Sequence, residues 1–189
     1  MKKFFLATLA FLLLSAQAEA LPFTRTQLDT MFLEVGQVQS DSTFALDAET
    51  FKEKFNARIT PILKEAMGTE DVSAMEYLFL IKDDKIIGDT FTNIFGDYRV
   101  AVVGRLVADG KFKVLSLYYT TPEEKDESIF TIWLITAFVK SLAPEVNPQT
   151  LMNELTAENS SGTVAADGVK FSISAQGNLN ALTATRAGD

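Results

Sequence analysis

The stretch that decides the fold is residues 98–121, which read YRVAVVGRLVA, then Asp109-Gly110, then KFKVLSLYYTT. Two runs rich in β-branched and aromatic residues flank one strong turn signal, the pattern of a β-hairpin. An Asp-Gly pair suits a type I′ turn, in which both central residues take positive φ. A two-residue loop pairs Ala108 with Lys111 and, further in, Val102 with Leu117. One face of the hairpin then carries Val100, Val102, Gly104 and Leu106 opposite Tyr119, Leu117, Leu115 and Lys113. This face is apolar enough to be a core face. The second face sets Arg99, Ala101, Val103, Arg105 and Val107 against Thr120, Tyr118, Ser116, Val114 and Phe112.

Upstream, residues 77–82 (YLFLIK) and 85–95 have strand character and are bounded by Asp83-Asp84 and Gly96-Asp97. They complete a four-stranded antiparallel meander. The same register arithmetic carries the second face on through Tyr77, Phe79, Ile81, Ile86, Thr90 and Ile94. It also places Asp89 and Asn93 on the core face, which calls for a bulge or a longer loop. A solvated antiparallel face ordinarily turns polar side chains outward. This one mixes Tyr, Phe, Ile and Val with two arginines, so something must cover it: the chain's own segment 21–46 or terminal hairpin in the plainer case, otherwise a second copy, another protein or a small amphiphile.

Helices flank the meander. Asp47 is an N-cap candidate, and Phe51, Phe55, Ile59, Ile62, Leu63 and Ala66 follow one helical face. Pro61 is expected to kink or split that helix, and Gly68 to stop it. After Pro122, the acids Glu123, Glu124, Asp126 and Glu127 suit a helix start. Residues 128–139 (SIFTIWLITAFV) carry no charge, as in a buried helix. Asn147-Pro148 opens another helix with a cap and an N1 proline. A terminal hairpin turns at Asp167-Gly168, with a third strand near residues 179–185. Residues 21–46 form a less regular lead-in in which Leu28, Met31, Phe32 and Val35 have helical spacing, and residues 42–46 have strand character. The order (β)-α-β4-α-α-β2–3 is that of an α+β domain. It is similar to the β-α-β4-α order of TBP-like folds and, more loosely, to the helix-on-meander of cystatin-like folds. That likeness is one of element order and carries no function.

The N-terminus speaks to destination. Lys2-Lys3, the apolar run FFLATLAFLLL at residues 4–14 and two overlapping A-x-A sites ending at Ala18 or Ala20 make up the three parts of a secretory signal. The apolar run is shorter than the roughly 20 residues a membrane span needs. The reading is a cleaved signal over residues 1–20, a single domain over 21–189, and a periplasmic or secreted destination. Removing the signal moves the formal charge from -8 to -9, because two lysines and one glutamate leave with it.

Composition limits the chemistry. The chain has no cysteine and no histidine, which excludes Ser-His-Asp and Cys-His catalysis, disulfides and His/Cys zinc sites. The acidic balance argues against nucleic acid as a partner. The acids at 123–127 have no shaped loop of the kind calcium needs, and no metal, cofactor or catalytic residue is assigned. The expected activity is non-enzymatic binding of a partner protein, or of a second copy, through the second sheet face. The residues expected to carry it are Tyr77, Phe79, Arg99, Arg105, Phe112, Ser116 and Tyr118. An inhibitor-like role is a special case. The alternative is a carrier of a small apolar or amphiphilic ligand, motivated by abundant phenylalanine and the apolar helix around Trp133. A carboxylate-based hydrolase ranks third.

Overall fold

The computed structural model describes residues 22–96 and 99–188, without the side chain of Tyr77. The expected signal segment lies outside the described residues. Within them the chain is an α+β fold of four helices and one seven-stranded antiparallel sheet. The helices are α1 (Arg25–Gln37), α2 (Ala48–Met67), α3 (Lys125–Leu142) and α4 (Pro148–Thr156). The strands are β1 (Lys85–Ile87), β2 (Thr90–Phe95), β3 (Val100–Leu106), β4 (Phe112–Thr120), β5 (Thr163–Ala166), β6 (Val169–Gln176) and β7 (Leu179–Arg186). They lie in the order β1-β2-β3-β4-β7-β6-β5, so the terminal strands join the meander through β7 beside β4.

The helix starts follow the sequence signals. Asp47 accepts from the Thr50 N–H at 2.8 Å and Asn147 from the Thr150 N–H at 3.0 Å. Gly68 closes α2 in the left-handed region, at φ 64°. The lead-in is more regular than its composition implies. Thr24 and Gln27 form a reciprocal capping box that starts α1. Pro61 does not split α2, which runs on as one helix of 20 residues.

The first expected strand is corrected. Glu76–Phe79 is a single helical turn, entered through a 3-10 turn at Ser73–Met75, and the expected strand over 85–95 is instead the hairpin of β1 and β2, turning at Gly88-Asp89. Leu78, Phe79 and Ile81 are all buried. A half-buried strand would turn alternate side chains out, whereas a helical turn and a bend direct all three inward. The side-chain amide of Asn56 holds the chain that follows. It accepts from the Ile81 N–H at 2.8 Å and donates to the Ile81 carbonyl at 3.1 Å. A side chain thereby satisfies one residue's backbone much as a neighbouring strand would.

The decisive hairpin is right in its depth and different at its tip. Val102 does pair with Leu117. The loop, however, has three residues: Val107 N–H donates to the Lys111 carbonyl at 2.8 Å and Gly110 N–H to the Val107 carbonyl at 2.9 Å. Gly110 takes φ 80°, as in a type I turn followed by a left-handed glycine. A register shift between Arg105 and Leu106 then restores the pairing further in. The two irregularities cancel along the strands but not at Phe112. It pairs with Leu106 and turns into the core instead of onto the second face. Gly104 makes room for it: a Cβ there would lie 2.6 Å from the Phe112 ring and 2.8 Å from Leu115.

The main core lies between one sheet face and helices α2, α3 and α4. Phe51 sits at its centre, with ring centroids of Phe55, Phe91, Phe112 and Phe138 at 6.0, 6.1, 5.7 and 6.4 Å. Most of these contacts are edge-on, the arrangement that the ring quadrupole favours. Asn93 does fall on this face, between Phe91 and Phe95, and its Nδ2 is buried without a hydrogen-bond partner.

Candidate functional site

The second sheet face has its own smaller core. α1 lies across β3, β4 and β7 and buries Met31 and Val35, with Phe23, against Ala101, Val103, Val114, Tyr118, Leu179 and Ala181. The cover expected for this face therefore comes, over its centre, from the lead-in segment itself. Three polar contacts fix α1 in place. Arg105 donates to the Gly36 carbonyl at 2.6 Å, near the helix C-terminus, where carbonyls lack helical partners. The Tyr118 hydroxyl donates to the Met31 carbonyl at 3.3 Å. The Gln27 amide donates to Asn178 Oδ1 at 3.2 Å.

The seven residues expected to form the site separate in space. Ser116, Tyr118 and Arg105 lie on the second face. Phe79 and Phe112 belong to the main core and are fully buried. Phe79 is turned inward by the helical turn, and Phe112 by the three-residue loop. The backbone of Tyr77 is in that helical turn, and its side chain is outside the described part. Arg99 immediately precedes β3 with φ 50° and lies 3.8 Å from Glu123.

Neither arginine is a free anion site. Besides its bond to α1, Arg105 donates to Asp89 at 2.9 Å, and this contact holds the Asp89 carboxyl below its ordinary range. The Tyr118 ring is 1% exposed. Burial pushes its hydroxyl up, and the nearby Glu34 carboxylate adds to the shift. Ser116 is fully buried and its hydroxyl is 2.9 Å from that of Thr183.

On the β7–β6 side of α1 the face stays open. A cleft of about 360 Å³ lies between Glu34, Gln37, Val38 and Gln39 on one wall and a floor of Lys170, Ser172, Ser174, Thr183 and Thr185, with Tyr118 at its back. This volume is in the range of small-ligand sites, about 300–1,000 Å³. The floor was legible only in part. Ser172 and Ser174 alternate with Phe171 and Ile173, and Thr183 and Thr185 with Leu182 and Ala184. That pattern identifies hydroxyl-bearing outer faces, but only the β4–β7 pairing sets them beside Ser116.

Elsewhere, an apolar groove of about 340 Å³ runs between α3 and α4, lined by Ile132, Ile135, Thr136, Pro148 and Met152 among others. Among the described residues there is no cluster of three or more acidic side chains placed to hold a metal ion. No helix among them is long and apolar enough to cross a membrane. No protein-family model, curated protein or solved structure matches the chain.

Proposed function

We propose that the protein is an exported, non-enzymatic binding module whose working surface is the second sheet face beside α1. The carrying observation is the cleft between α1 and β7–β6. It is walled by the end of α1 and the two residues that follow it and floored by β6 and β7, so the polar groups of its floor are held in place by the backbone hydrogen bonding of the sheet. The test is a filling substitution, Ser172→Arg, at a half-buried outward position. The variant should fold as the parent does and lose capture of whatever the parent retains from an extract of its own host. Unchanged capture would contradict the reading. Export is tested by N-terminal sequencing of protein from the periplasmic fraction. Cleavage after Ala18 or Ala20 gives a chain beginning at Glu19 or Leu21, and an intact Met1 would contradict export.

A second reading, carriage of a small amphiphile, draws support from the α3–α4 groove. The interior between sheet and helices holds interlocked phenylalanines, so a carrier would use the groove and not the core. Met152→Glu should abolish lipid-dependent quenching of Trp133 fluorescence. Quenching that persists in the variant would remove this reading.

A further inference from the structure

The sheet ends in β1 on one side and β5 on the other, and the two edges differ. Among the described residues β5 shows no exposed large apolar side chain, whereas β1 shows two adjacent ones, Ile86 at 52% and Ile87 at 66% exposure. Native edge strands are ordinarily guarded by lysines, prolines or bulges, because their unpaired N–H and C=O groups invite another strand. β1 has one lysine, no proline and no bulge. We propose that β1 pairs antiparallel with β1 of a second copy of the chain, about a two-fold axis at Ile86. The cleft plays no part in this contact, since it lies beside β6 and β7, toward the other edge.

Hydrogen bonding fixes which groups are free. The Leu106 N–H donates to the Asp89 carbonyl at 2.7 Å, so Asp89 faces β3. Successive residues of a strand direct their backbone groups to opposite sides. Thr90 and Thr92 therefore face β1, where Ile87 and Lys85 meet them. The N–H and C=O of Ile86 then point out of the sheet. Centred there, the pairing has each Ile86 exchange two backbone hydrogen bonds with Ile86 of the second copy.

The side chains select both the partner and the register. Ile86 shares the core face with Phe91, so the two Ile86 side chains stand directly opposite each other on that face. On the second face Lys85 stands opposite Ile87 of the second copy, its methylenes on the apolar side chain and its ammonium in water. Sliding the pairing one step toward Asp84 would oppose Lys85 to Lys85, which like charge disfavours. Sliding it the other way would require Gly88 and Asp89, which turn back into β2. Asp84 and Asp89 are already 3.7 Å from Lys52 and 2.9 Å from Arg105. Such an isologous contact closes on itself and covers the exposed isoleucines of both copies. It is a small contact, and each chain carries a formal charge of -8 as read from its full sequence, so the dimer should be weak and should tighten as salt screens the repulsion.

The experiment is analytical ultracentrifugation of the exported chain over a concentration series, with amide hydrogen exchange at Ile86. A monomer–dimer equilibrium is expected, with Ile86 protection rising with concentration. Ile86→Lys and Ile86→Glu, at an exposed position, should each keep the fold and weaken dimerisation roughly tenfold or more. An equal mixture of the two variants should restore the dimer, because opposite charges then face each other. A chain that is monomeric at every concentration would overturn the inference, and Ile86 protection arising only with host extract would give the edge to a foreign strand instead. A dimer indifferent to both substitutions, or one that the mixture fails to restore, would also overturn it.

Discussion

On one face of the sheet three helices close over Phe51, Phe55, Phe91, Phe112 and Phe138, rings contributed by α2, α3 and the sheet that contact one another. On the other face a single helix rests Met31 and Val35 on alanine, valine and one shielded tyrosine. The strands are the same; alternate residues simply point to opposite sides. What differs is the size of the side chains and the number of elements meeting them. Of the 18 residues of α3, eight are buried, whereas α1 buries two of 13. Apolar burial is the main favourable contribution to folding, so the first face should set global stability. The second should open at lower free energy, as elements with few buried contacts do. Binding surfaces are drawn from such elements, and the open cleft lies at the margin of α1.

Substitutions that separate the faces should rank accordingly. Phe51→Ala removes a ring with four aromatic neighbours and should cost about 3–5 kcal/mol in urea unfolding. A loss under 1 kcal/mol would mean that the central cluster is looser than described. Gly104→Ala forces a methyl against Phe112 and Leu115. Overpacking of this kind costs about 1–3 kcal/mol, and Gly104→Ala combined with Phe112→Leu should regain part of it. Met31→Ala should cost only about 1–2 kcal/mol of global stability, below the 2–5 of a fully packed core, because α1 can yield locally. Equal losses for Met31 and Phe51 would erase the distinction between the faces.

The smallest effect is that of pH on the contacts of α1. Asp89 is held below its ordinary value of 3.8 by Arg105. Its contribution is therefore complete above that value and is lost as pH falls through the lower folded one. Tyr118 is raised above its ordinary value of 10.0 by burial. Its contribution is complete below pH 10 and is lost as pH rises past it. With no histidine in the chain, α1 protection should be level from about pH 6 to 8. A transition within that window, followed by circular dichroism, would contradict the assignment of these contacts.

The fold class, the helices from Asp47 on, the strands from residue 100 on, the caps at Asp47 and Asn147 and the inner register of the β3–β4 hairpin were legible in the sequence. Each is set by local chemistry: Asp47 and Asn147 as caps, Gly68 as stop, and the alternation flanking Asp109-Gly110. Residues 77–82 were misread because an apolar run has no period to distinguish a strand from a turn that buries every side chain. Phe112 was misplaced by one residue of loop length, which is enough to reverse a side chain. The candidate site was the least legible part. Glu34 lies more than a hundred residues before Ser172 and Thr183 in the chain, and only the union of β7 with β4 and the docking of α1 bring them together. No local signal encodes that.

Native-state hydrogen exchange tests the contrast between the faces most directly. Amides of α1 should exchange through an opening well below the free energy of global unfolding, while those of α2, α3 and the central strands β3, β4 and β7 exchange only on global unfolding. Protection of α1 equal to that of α2 at every denaturant concentration would contradict the account.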